Sequence, residues 1–230
     1  MGNMESIATT DGKNMPCYVA KPGGTAKAAI IVTQEIFGVN AGIRSKADSW
    51  AEAGYLAIAP DLFWRINDHT DLNPDVEEEF QTALDLMGKF DQDMGVSDIQ
   101  SALAFARDAG AAKVGAVGYC LGGRLAFMTA ARSNINASVG YYGVGIDGLL
   151  NEKDKIASPV MLHIPTADGF VPADAQAAMH AGLDDHPQLT LHDYDGLDHG
   201  FAAEFGTRRD DAAATLADGR TIAFFKEHLA

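Results

Sequence analysis

The chain has 230 residues, 47% of them hydrophobic, which is enough for a substantial core and for one or two domains. A formal net charge of −15 repels phosphate backbones and anionic membranes, and the 17 lysines and arginines show no strong clustering, so no nucleic acid and no membrane is expected as a partner. The two cysteines, Cys17 and Cys120, form no spaced disulfide framework, no apolar run approaches a membrane span, and the N-terminus lacks the basic and apolar blocks of a signal peptide. A reducing, cytoplasmic setting is expected. Residues 1–6 (MGNMES) fit the loose myristoylation pattern, which is read as chance because no basic patch supplies a second anchoring signal.

Residues 15–20 and 28–33 read as strands, the second (AAIIVT) being the continuous apolar type covered on both faces. A loop over 34–40 leads to a helix over 41–53, closed by Gly54. A strand over 55–59 stops at Pro60-Asp61, and the irregular, polar stretch 62–74 is expected to be a surface excursion near the rim of a site. Helices are expected over 75–87 and 96–109, with Gly110 as the stop, then a strand over 114–117 and a helix running to Arg132. Strands over 137–142, 160–164 and 189–194 are separated by a loop and by a helix over 173–182, and a final helix covers 210–229. This alternation predicts an α/β fold with a mostly parallel central sheet and helices on both faces, and places ligands beyond the carboxyl ends of the strands. With no low-complexity linker and no internal repeat, residues 1–230 read as a single domain.

Residues 113–129 (KVGAVGYCLGGRLAFMT) combine a short apolar run, a glycine-flanked turn with a cysteine at its apex, and a helix start. Gly118-Tyr119-Cys120-Leu121-Gly122 has the form G-x-C-x-G, a nucleophile elbow with cysteine in place of serine. Such a turn strains the cysteine backbone and aims free N–H groups and the positive end of a helix dipole at the sulfur. The plain alternative is a buried cysteine in a packing turn.

Asp168, in Thr166-Ala167-Asp168-Gly169, and His199, in Asp198-His199-Gly200-Phe201, also fall where strands end. The order nucleophile, acid, histidine is that of the α/β-hydrolases, in which an imidazole takes the nucleophile's proton and a carboxylate fixes its tautomer. Asp168 before a glycine is equally a turn residue, and spacing alone leaves Asp193, Asp195 and Asp198 open as the acid. His163 and His192, inside apparent strands, read as packing or rim residues, and His69, His180, His186 and His228 as solvated. His192, Asp195, Asp198 and His199 lack a recognised metal-ligand spacing, so no metal and no cofactor is expected.

The elbow 118–123, the loop Gln34-Glu35-Ile36-Phe37-Gly38-Val39-Asn40, the run Tyr141-Tyr142-Gly143-Val144-Gly145 and the His199 loop together resemble the dienelactone hydrolase (carboxymethylenebutenolidase) family, nearly end to end. The resemblance implies an α/β-hydrolase fold and a Cys-His-Asp triad on Cys120, His199 and Asp168. It implies that Glu35 contacts the resting thiol and swings away when substrate binds, which would protect the sulfur from stray oxidation. It also implies an oxyanion hole from the N–H groups of Leu121 and Ile36. Phe37, Phe80, Leu84, Met87, Arg124 and Ala203 are expected to border the substrate.

Two arginines that hold a substrate carboxylate in the best-studied type of this family are matched here by Phe80 and Ala203, and its aromatic and phenolic positions by Leu84 and Met87. Each lost charge-assisted hydrogen bond forfeits about 1.5–3 kcal/mol, so an anionic lactone should bind poorly unless Arg65, Arg124, Arg208 or Arg209 substitutes. The expected activity is hydrolysis of a lactone or small carboxylic ester by water through an acyl-enzyme on Cys120. A general carboxylesterase or thioesterase, or a non-catalytic ligand-binding or thiol redox-sensing protein, are the alternatives.

Overall fold

The computed structural model describes residues 1–26 and 28–230, and the chain divides into two compact units, Met1–Gly115 and Ala116–Ala230. In the first unit, β1 (Asn3–Ala8) and β2 (Asn14–Ala20) form an antiparallel hairpin. β2 pairs antiparallel with β4 (Leu56–Pro60), and β4 pairs in parallel with β3 (Ala28–Thr33). Every residue of β3 and β4 is buried, as continuous apolar runs require.

Two of the helices of this unit begin where the sequence supplies a side-chain cap. α1 (Ala41–Glu52) starts at Asn40, whose Oδ1 accepts the Ile43 N–H at 3.1 Å, and Gly54 follows its end at φ +96°. α2 (Glu77–Lys89) carries Glu77, Glu78 and Glu79 in its first turn, where the helix dipole favours anions. α3 (Gln92–Asp108) is capped by Asp91, which accepts the N–H groups of Asp93 and Met94. That cap starts α3 four residues before the expected position.

β5 (Lys113–Tyr119) carries the chain into the second unit, where the strand order is β5, β6 (Ala137–Tyr141), β7 (Val160–Pro165), β8 (Leu189–Tyr194). β6, β7 and β8 pair in parallel. α4 (Leu121–Arg132), α5 (Ala173–Leu183) and α6 (Asp211–Leu229) alternate with or follow these strands, and Asp210 caps α6 by accepting the Ala213 N–H at 2.9 Å. The alternation of strand and helix and the parallel pairings agree with the expected α/β class.

Three local expectations are corrected. β1 was not foreseen, because its residues alternate in burial weakly and most are exposed. Pro60 does not stop β4 but ends it as a paired residue opposite Cys17. The stretch expected as a loop between β6 and β7 contains a 3-10 helix, Asp147–Lys155, whose polar sequence shows no α-helical apolar stripe.

Candidate active site

β5 ends at Tyr119, α4 begins at Leu121, and Cys120 alone makes the corner, at φ 55° and ψ −114°. A non-glycine residue in that region is strained and persists only where its surroundings hold it. The hold is visible: the Cys120 N–H donates to the Tyr141 carbonyl at 3.0 Å. Next to it, a Cβ on Gly123 would stand 2.5 Å from that same carbonyl oxygen and 3.2 Å from Gly143, so the helix can approach β6 only with glycine there.

Asp168 follows β7 and His199 follows β8. Nδ1 of His199 lies 2.9 Å from Oδ2 and 3.2 Å from Oδ1 of Asp168, and both side chains are almost wholly buried. The His199 ring also hydrogen-bonds the Cys120 side chain, which leaves Nε2 for the sulfur once Nδ1 has its carboxylate. Burial alone would lower the pKa of His199, but the charge on Cys120 and the hydrogen bonds to Asp168 and Cys120 outweigh it and push the value up to about 10.

Asp168 also makes the contact expected of a turn residue, its Oδ1 accepting the Phe170 N–H at 2.8 Å. The competing aspartates are engaged elsewhere. Asp193 meets Nε2 of His180 at 3.0 Å, Asp195 meets Oγ1 of Thr166 at 3.3 Å, and Asp198 accepts backbone N–H groups.

Aromatic rings flank His199: Tyr142 stands edge-on at 4.9 Å between ring centroids and Phe170 at 4.8 Å. Tyr142 is itself at φ 39°, its N–H donating to the His163 carbonyl at 2.9 Å. His163 is a satisfied core histidine, with Nδ1 2.7 Å from Tyr194 Oη and Nε2 2.9 Å from Thr221 Oγ1, and burial holds its pKa well below the usual range. His180 and His228 are not simply solvated. The first lies between Asp184 and Asp193, the second against the Phe224 ring at 4.6 Å. Among the described residues no group of three or more His, Cys, Asp and Glu side chains is arranged to hold a metal ion.

Glu35, Ile36 and Phe37 belong to the first unit, in the turn after β3. Gln34, fully buried, accepts the Leu62 N–H on Oε1 at 3.0 Å and donates from Nε2 to the Glu35 carbonyl at 3.2 Å. Gly38, at φ +77°, bridges Asp71, and any Cβ there would overlap the Thr70 carbonyl. The turn is thus tied to the 62–74 excursion, and Phe37 packs on Phe80 of α2 with ring centroids 5.9 Å apart. Leu84, on the same helix, is 40% exposed, and Met87 is partly buried.

The candidate arginines differ sharply in what they touch. Arg65 is committed to Asp98 and Asp11 of its own unit, at 2.6 and 2.8 Å. Arg209 donates to Asp211 and to the Ala203 carbonyl. Arg124, on the first turn of α4, lies against Gly145, where a Cβ would stand 2.6 Å from Nη1, and its Nε is buried without a hydrogen bond. Arg208 has its guanidinium carbon 5.7 Å from the centre of the Phe170 ring.

The family model "Dienelactone hydrolase family" matches residues 15–229. The chain is 44% identical over 228 residues to a protein of Azospirillum brasilense named "Putative carboxymethylenebutenolidase", covering 97% of this chain and 98% of that one. It is 37% identical over 221 residues to the carboxymethylenebutenolidase of Pseudomonas putida, covering 95% and 94%. Among solved structures, one from Klebsiella pneumoniae named "Putative Dienelactone Hydrolase" superimposes with a TM-score of 0.86 at 28% identity, covering 98% of each chain. A Pyrococcus furiosus esterase at 14% identity shares the fold, with a TM-score of 0.75 over 100% of this chain and 93% of its own. With its strand-elbow-helix corner and these matches along almost its whole length, the chain has the α/β-hydrolase fold and belongs to the dienelactone hydrolase family.

Proposed function

We propose that this protein hydrolyses a lactone or small carboxylic ester through an acyl-enzyme on Cys120. The observation that carries the reading is the single imidazole of His199, bonded to Asp168 on one nitrogen and to the Cys120 side chain. His199 holds the proton drawn from the thiol while the sulfur attacks the carbonyl carbon, and delivers it to the leaving alkoxide. Asp168 fixes the ring tautomer and stabilises the imidazolium. Water, deprotonated by His199, then attacks the thioester and releases the acid and the free thiol.

The Leu121 N–H is the first of α4, a position with no partner inside the helix, and is available to receive the oxyanion. Within the first unit Phe37, Phe80, Leu84 and Met87 offer apolar contacts to the substrate, and within the second Arg124 and Ala203 contact it. Because Arg65 and Arg209 are occupied and Phe80 and Ala203 carry no charge, the preferred substrate is less anionic than dienelactone or is held differently, through Arg124 or Arg208. The family match spans both compact units, which supports reading residues 1–230 as one functional domain.

The test is a panel of lactones and p-nitrophenyl esters, neutral and carboxylate-bearing, assayed with wild-type protein and with Cys120→Ala. Loss of turnover in a folded Cys120→Ala variant is expected, and retained turnover would overturn the acyl-enzyme. A strong preference for the carboxylate-bearing lactone would overturn the substrate assignment. Alkylation by iodoacetamide should report Cys120 alone, since Cys17 is fully buried and its thiol is pushed far up by that burial.

A further inference from the structure

The loops after β7 and β8 run side by side and are stitched along their length. Thr166 N–H donates to the Tyr194 carbonyl at 3.0 Å, and Ala167 N–H to the Leu197 carbonyl at 2.9 Å. Gly196 N–H donates to Thr166 Oγ1 at 2.9 Å. These backbone pairings end at Ala167, one residue before Asp168, where the first loop turns. From there one carboxylate takes over: Oδ1 of Asp198 accepts the Gly169 N–H at 2.9 Å and the His199 N–H at 2.7 Å.

A single oxygen therefore joins the residue after the acid to the residue that carries the base. Its carboxyl is held below the usual range, first by the Gly169 amide, then by that of His199, with Arg208 adding its charge. The side chain is exposed and accepts these two backbone amides, whereas Nδ1 of His199 bonds Asp168. The catalytic cycle as described gives it no role.

We propose that Asp198 is a positioning residue, setting the offset between the Asp168 and His199 loops that keeps Nδ1 on its carboxylate and the other ring nitrogen on the sulfur. The inference rests on the catalytic reading above. What matters is an acceptor oxygen at the reach of an aspartate side chain, not its charge. Asparagine presents such an oxygen at the same length, whereas alanine removes it and glutamate moves it outward by one methylene. A displacement of about 1 Å at a reacting centre costs about 100-fold in rate.

The experiment compares Asp198→Asn, Asp198→Ala and Asp198→Glu with wild type on p-nitrophenyl butyrate, with thermal unfolding measured in parallel and Cys120→Ala as the control. Asp198→Ala and Asp198→Glu are expected to lose about 10- to 100-fold in kcat, with KM changed less than about 3-fold, and Asp198→Asn to stay within about 3-fold of wild type. Full kcat in Asp198→Ala beside an inactive Cys120→Ala would overturn the positioning role alone. An active Asp198→Glu with an inactive Asp198→Asn would show that charge is what counts, and would overturn it too. Turnover retained by Cys120→Ala would overturn both this inference and the catalytic reading on which it stands.

Discussion

Arg65 donates from Nη2 to Oδ1 of Asp98 at 2.6 Å and from Nε to Oδ2 at 2.9 Å, a two-pronged bond to a carboxylate that is 1% exposed. The same guanidinium reaches Asp11 in the turn of the β1–β2 hairpin, and Asp98 also accepts from the indole of Trp64. This cation holds the excursion loop, the hairpin and α3 together, which is a structural task. Removing one partner of a buried pair leaves an uncompensated charge.

Arg65→Ala should therefore lose about 3–5 kcal/mol of stability in urea denaturation. The ratio of kcat/KM for carboxylate-bearing and neutral esters should not change. A fall in that ratio without loss of stability would make Arg65 a substrate contact instead.

His199 gives the stability curve a definite slope. Its folded pKa, about 10, lies above the value of about 6.5 for a free imidazole, so the folded state binds the extra proton across that interval. The contribution is complete below about pH 6.5 and disappears as pH rises through about 10. Thermal unfolding of wild type and His199→Gln should show the advantage of wild type shrinking over this range. An advantage that grows would contradict the charged, paired imidazole. Asp168→Asn should narrow the same gap and reduce kcat by about 1,000- to 10,000-fold, since the amide supports neither the tautomer nor the charge.

Asp61 behaves in the opposite sense. It closes the base of the excursion loop by accepting the Phe63 N–H at 3.1 Å, and burial pushes its carboxyl up to about 6 despite that bond. The folded state therefore binds a proton more tightly than the unfolded one between about pH 4 and 6, and stability falls as pH rises through that window. Asp61→Asn does not titrate. Relative to wild type it should gain about 3 kcal/mol between pH 4 and 8, two pK steps at 1.36 kcal/mol each, whatever fixed hydrogen-bond change the amide brings. Denaturant midpoints at the two pH values measure it, and a constant difference would refute the buried charge.

The elements that lead up to the site were legible because their residues are constrained locally. AAIIVT can only be a covered strand, Asn40 and Gly54 bracket α1 as caps, and the cysteine at 120 sits between a strand and a helix start. Spacing alone does not separate Asp168 from Asp193, Asp195 and Asp198, since four carboxylates near two strand ends differ only in what the fold turns them toward, and only the family resemblance points to Asp168. The commitment of Arg65 was equally hidden, because its partners lie 33 and 54 residues away. β1 gave no signal for a related reason: an edge strand with one buried face and little apolar weight looks like a polar terminus.

The backbone of Cys120 is held at φ 55°, in a conformation that side chains of this handedness avoid at a penalty of about 1–3 kcal/mol. Nothing in the sulfur's own chemistry requires that posture, which is held by the bond of the Cys120 amide to the Tyr141 carbonyl and by the close approach of Gly123 to the same oxygen. The fold would be sturdier with a relaxed residue at position 120, and on the catalytic reading proposed above that forgone robustness is concentrated where the sulfur meets its substrate.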